Sequence, residues 1–172
     1  MLAEREGPLV YLSLGSLGSA DVELMQRLVD ALADAPWRVI VSKGPQHALL
    51  RLPDPMAGEE FLPQTSILPQ VDAVITHGGN NTVTECLHFG RPMVVLPLFW
   101  DQYDNAQRVQ ETGFGQRLDT YGHAPEELLA AVDRVLADTA MRERLDAVSA
   151  RLEAHGGTER AAERMEAVAS AG

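Results

Sequence analysis

The stretch from Ala73 to Gln102 admits few folds. A strand-sized apolar run, Ala73 to Thr76, leads straight into His77-Gly78-Gly79-Asn80-Asn81-Thr82, a glycine turn that opens a helix. A second apolar strand, Pro92 to Leu96, follows, and the polar loop Trp100-Asp101-Gln102 closes the unit. Strand, glycine turn, helix and strand in this order predict a βαβ unit whose turn lies at the ligand-binding edge of a parallel sheet. The free N–H groups of such a helix start suit a phosphate and whatever is attached to it.

The rest of the chain repeats the alternation. Residues 9–14 read as a buried strand ending in the turn Gly15-Ser16-Leu17-Gly18-Ser19, and Asp21 suits the cap of an amphipathic helix running to about Ala33. Trp37 to Ser42 reads as a second strand, and residues 60–62 as a short third. Val71 to Thr76 gives the fourth, Asn81 to His88 a helix and Met93 to Leu96 the fifth. A helix from Gln102 to Glu111 stops at Gly113, and Phe114 to Leu118 completes the strands. Helical spacing then runs from Pro125 to about Glu153, and a last helix covers roughly Thr158 to Val168. The expected fold class is α/β: one doubly wound, Rossmann-like parallel sheet of about six strands, with helices on both faces and a helical C-terminus.

Composition narrows the partners. A formal net charge of −11 argues against nucleic acid or an anionic membrane. It also means that a bound phosphate must be held by local hydrogen bonds and a helix N-terminus, against the overall field. No apolar run is long enough to span a membrane, and residues 1–10 carry Glu4 and Glu6 rather than a leader pattern. A single cysteine, Cys86, fits a reducing compartment, so the cytoplasm is the expected location.

Several side chains near the two glycine turns suit a phosphate ester. Ser16 can hydrogen-bond a phosphate oxygen while Gly15 lets the backbone approach, although an ordinary capped turn explains the same residues. His77 can donate to a phosphate oxygen, and an anion beside it favours its charged form. Gly78 and Gly79 clear side chains from that turn, and Asn81 and Thr82 begin the helix. Glu85, three residues after Thr82, can accept ribose hydroxyls; the alternative is a capping-box glutamate reaching back to the Thr82 N–H. Asp101 and Asp104 could be mistaken for a metal motif, but a helix cap explains either, and no metal is expected.

The segment Phe61 to Asn105, with FLPQ, THGGNNT, Glu85, GRPMVVLPLFWDQ and DNA in order, resembles the donor-binding signature of the family-1 glycosyltransferases. It is most similar to the actinobacterial enzymes that glycosylate natural products. The resemblance extends over essentially the whole chain as the C-terminal half of a two-domain GT-B enzyme. It implies a nucleobase stacked on Phe61, where the family usually has tryptophan, with Gln64 bonding the base or ribose. It implies a diphosphate held by Ser16, His77, Gly79, Asn81 and Thr82, and ribose hydroxyls on Glu85. Asp101 and Gln102, with Asn105 nearby, would bind the transferred sugar. Asn80 stands where the family varies and is not expected to be a determinant.

What the resemblance implies for activity follows. Such enzymes transfer a sugar from a nucleotide to a small-molecule acceptor with inversion, without a cofactor or bound metal. Their general base, a histidine oriented by an aspartate, belongs to an N-terminal domain with no counterpart here. No catalytic residue is therefore expected in this chain, and by itself it should bind a UDP- or dTDP-linked donor with little or no turnover. Residues 1–7 read as a linker remnant, and 157–172 as a helix that packs on the N-terminal domain or on its own. Alternatives are a split-transferase subunit, a non-catalytic nucleotide-sugar-binding module, and a related nucleotide-sugar epimerase, against which the Asp101-Gln102 pair counts.

Overall fold

In a computed structural model, residues 7–154 and 156–170 are described. Six strands form one parallel sheet in the order β3-β2-β1-β4-β5-β6. They are β1 (Leu9–Ser13), β2 (Arg38–Ser42), β3 (Ala57–Glu59), β4 (Ala73–Thr76), β5 (Met93–Val95) and β6 (Gly115–Arg117). The helices are α1 (Gly15–Gly18), α2 (Val22–Ala31), α3 (Gln64–Ile67), α4 (Asn80–His88), α5 (Gln102–Glu111), α6 (Pro125–Ala137), α7 (Thr139–Glu153) and α8 (Gly157–Ser170).

Strand side chains alternate between two cores. Val10, Leu12, Val39, Val41, Ile75 and Val94 pack against Leu24, Leu28 and Val29 of α2 and Leu128, Val132 and Val135 of α6. Leu9, Tyr11, Ile40, Val74, Met93 and Val95 face the other way, toward Cys86 of α4 and Ala106 and Val109 of α5. Burial on both faces explains why these strands read as continuous apolar runs. Each fully buried leucine, such as Leu12 or Leu28, contributes about 2 kcal/mol through burial.

The register sets the functional edge. Leu12 lies level with Val41 on one side and Ile75 on the other, and Ser13 lies level with Thr76. The carboxyl ends of β1, β2 and β4 therefore open onto one crevice. Strand order reverses between β1 and β4, which is where open α/β sheets bind ligands.

Three boundaries differ from the sequence reading. The third strand is Ala57–Glu59 rather than 60–62. It is a short edge strand with no fully buried residue, so no apolar run marks it. The run from Pro125 to Glu153 is two helices, because Asp138 ends α6 and its side chain accepts from the Met141 N–H at 2.8 Å to start α7. Short helix α1 forms in the segment read as a turn, and α3 forms in a segment to which the sequence reading gave no element. Asp21 caps α2 as expected, accepting from the Leu24 N–H at 3.0 Å. The expected linker remnant lies mostly outside the described residues. Helix α8 has no buried residue, and among the described residues no helix is long and apolar enough to cross a membrane.

Candidate functional site

A cavity of about 610 Å³ opens at the switch point, between the turns after β1 and β4. At its centre His77 stands in a slot that only glycines permit. A Cβ on Gly79 would fall 2.4 Å from His77 Nε2, and one on Gly15 would fall 2.8 Å from Cε1. Gly15 and Gly78 also adopt φ of 69° and 82°, which side-chain-bearing residues rarely reach. Within the turn, the Gly78 N–H donates to Thr76 Oγ1 at 3.3 Å.

Burial pushes the His77 imidazole below its ordinary pKa, and the negative charge of Asp101 partly restores it. Empty, the ring therefore leans neutral. The charged form expected from the sequence requires an anion beside it.

Helix α4 begins against this slot. Asn80, Asn81 and Thr82 line the cavity, and no side chain caps the helix at Gly79. Its first N–H groups have no carbonyl one turn back, so the positive end of the helix dipole meets the cavity. Ser16, an exposed residue of α1, also lines the cavity.

Farther along, Gln64 at the start of α3 bridges to α4. Its Nε2 donates to Glu85 Oε2 at 2.6 Å and to Thr82 Oγ1 at 3.2 Å. This corrects the capping-box alternative. Helix α4 starts at Asn80, so Glu85 sits beyond its first turn and meets Gln64. Phe61 stands on the rim with 57% of its surface exposed, an open aromatic face.

The loop after β5 contributes differently. Asp101 lines the cavity, whereas Gln102 and Asn105 do not. Gln102 is buried, and its Oε1 accepts the Leu98 and Phe99 N–H groups at 2.9 and 3.2 Å. Asn105 Nδ2 donates to the Gly78 carbonyl at 2.9 Å and to Asp101 Oδ2 at 3.1 Å, tying α5 to the histidine turn. Both amides brace the loop from within. Asp101 occupies the N-cap position of α5 but its side chain makes no capping hydrogen bond, contrary to the cap explanation. Among the described residues no three His, Cys, Asp or Glu side chains gather as a metal-holding group.

Sequence reasoning missed the floor. Tyr11, Ser13 and Ser42 line the cavity from the carboxyl ends of β1 and β2, and Gly44 lines it beyond β2. Burial raises the Tyr11 pKa, while hydrogen bonds with Ser13 and Ser42 oppose that shift. A polar residue ending each of two apolar strands was the available signal.

The fold recurs in known proteins. NDP-glycosyltransferase YjiC of Bacillus subtilis is 31% identical over 97% of the chain and 43% of its own length. The crystal structure of the glycotransferase of kitacinnamycin matches with a TM-score of 0.86 and 34% identity, covering 95% of this chain and 44% of that one. That of CalG4, the calicheamicin glycosyltransferase, matches with a TM-score of 0.84 and 30% identity over 96% and 43%. The chain spans less than half the length of each. It is closely related to actinobacterial natural-product glycosyltransferases of the GT-B class. The profile for UDP-glucoronosyl and UDP-glucosyl transferase covers residues 3–153, and on that match the chain belongs to this family.

Proposed function

We propose that this chain is the donor-binding half of an inverting glycosyltransferase that takes a UDP- or dTDP-linked sugar and acts on a small-molecule acceptor. The observation that carries the reading is the glycine slot around His77, set beside the uncapped start of α4 and in one cavity with Glu85 and Asp101.

In this reading the diphosphate sits between His77 and the first turn of α4. The imidazole, the N–H groups of Asn81 and Thr82, and the Ser16 hydroxyl then donate to its oxygens. The donors are fixed before the sugar leaves, so they stabilise the charge that builds on the departing nucleotide at little reorganisation cost. Anion binding also draws a proton onto His77, reversing the effect of burial in the empty site.

Glu85 accepts ribose hydroxyls. Gln64 already donates to one of its carboxylate oxygens and so holds the other in place. Phe61 offers its exposed face to the base. Asp101 accepts hydroxyls of the transferred sugar, with Gln102 and Asn105 fixing its loop.

The reaction also needs a base to take the acceptor's proton as the nucleophile attacks opposite the leaving group. None of the cavity residues is placed in that role. The full protein is read as a glycosyltransferase whose acceptor-binding domain supplies the base. The surface of α8, where Met165 and Val168 are 73% and 76% exposed, is read as a contact for that domain.

Calorimetric titration of the chain with UDP and dTDP, repeated on His77→Ala, tests the reading. Binding by one nucleotide that the variant largely loses supports it; full binding by the variant refutes the His77 role. Adding the N-terminal half of a relative, together with donor and acceptor, separates a transferase half from a binding module that never turns over.

A further inference from the structure

A second cleft of about 350 Å³ lies between the outer face of α5 and the loop after β6, and shares no lining residue with the donor cavity. One loop separates the two: Asp101 faces the donor cavity, while Pro97 and Tyr103 line the cleft. We propose that this cleft is a subsite for a neutral saccharide ring.

Its walls suit that chemistry. Tyr103 and Tyr121 are 44% and 60% exposed. Their hydroxyls are already used, donating to the Leu98 carbonyl at 3.2 Å and to Asp21 Oδ2 at 3.1 Å. What the more exposed Tyr121 ring offers a ligand is its face, which suits the C–H side of a pyranose.

Polar groups stand around them. Arg117 lies over the Tyr103 ring at 5.8 Å and donates from Nη1 to Gln107 Oε1 at 3.0 Å, leaving further N–H donors on its fork. Asp119 Oδ1 accepts the Tyr121 and Gly122 N–H groups at 3.0 and 2.8 Å. Those bonds hold its carboxyl below the usual range, so Oδ2 remains a charged acceptor. A planar donor, a carboxylate and the Gln107 amide can each pair with adjacent ring hydroxyls.

The charges decide against other small ligands. Arg117 and Asp119 offset each other, so neither an anion nor a cation finds a net field. A purely apolar ring would leave both charged groups without ligand partners.

The cleft is also pre-organised. Arg27 donates to the Thr120 and Tyr121 carbonyls, Thr120 Oγ1 donates to the Pro97 carbonyl at 2.5 Å, and His123 Nδ1 lies 2.7 Å from the Asp119 carbonyl oxygen. A ligand here would sit against the loop that carries Asp101, beside the donor site but outside it.

The test is a titration of the 172-residue chain with methyl β-glucoside, followed by amide chemical shifts, with phenol and acetate as comparison probes. Saturable shifts at Tyr103 and at residues 117–122 are expected, with Kd on the order of millimolar for so small a ligand. Tyr121→Ala and Arg117→Met should each weaken this binding about fivefold and leave UDP binding unchanged. A flat response up to about 100 mM, shifts confined to the donor cavity, tighter binding of phenol or acetate, or indifference to both variants would overturn the proposal. The inference stands apart from the donor reading, because UDP binding is measured on the same samples.

Discussion

The loops that leave β4 and β5 stand side by side and use their polar side chains in opposite ways. After β4, His77, Asn81, Thr82 and Glu85 all line the cavity, and glycines supply the room. After β5 only Asp101 does so, while Gln102 and Asn105 bond backbone carbonyls, N–H groups and Asp101 itself. The first loop turns its polar groups into the cavity, whereas the second is mainly a frame for one carboxylate. A run of polar residues near a sheet edge thus contains both cavity-facing groups and internal supports, and hydrogen-bond partners separate them.

Substitutions can break this contrast. The largest effect should come from Gln102→Ala, which leaves two backbone N–H groups without their acceptor and costs about 3 kcal/mol of stability, read as a fall in the urea midpoint. A near-neutral result would mean that the loop does not depend on its brace. Gly79→Ala should lower nucleotide affinity about a hundredfold with little change in stability, because its Cβ would displace the His77 ring. Unchanged binding would remove the slot from the reading.

Smaller effects sharpen it. Asp101→Asn should leave UDP affinity intact and reduce the preference for UDP-sugar over UDP about tenfold; equal loss for both ligands would place Asp101 on the nucleotide instead. Burial holds His77 below its ordinary pKa and a bound diphosphate raises it, so binding should take up a proton. Affinity should then rise as pH falls from the bound-state pKa toward the free one, and level off below both. Calorimetry in buffers of different ionisation enthalpy reads that uptake, and proton release would contradict the sign. Asn105→Ala should have the smallest effect, about threefold on UDP-sugar affinity.

Much of the fold was legible because its central strands are buried on both faces and bounded by glycine turns. Val10 to Leu12 and Ala73 to Ile75 could not serve as loops. The edge strand Ala57–Glu59 carried no such pattern, and Asp138 was overlooked as a helix start inside a run of good helix formers. At the site, the glycines and His77 were legible because a turn with that much clearance needs a reason. The floor was not, since Tyr11, Ser13 and Ser42 are distant in sequence or buried within strands and meet only through register. Whether Gln102 faces a sugar or its own backbone depends on a side-chain direction that spacing does not encode.

The most direct test of the central claim is a crystal structure of the chain with UDP bound. The proposed arrangement puts the diphosphate between His77 Nε2 and the N–H groups of Asn81 and Thr82, with the ribose hydroxyls on Glu85 and the base over Phe61. Nucleotide bound elsewhere, or in this cavity with its phosphates away from His77 and the start of α4, would contradict it.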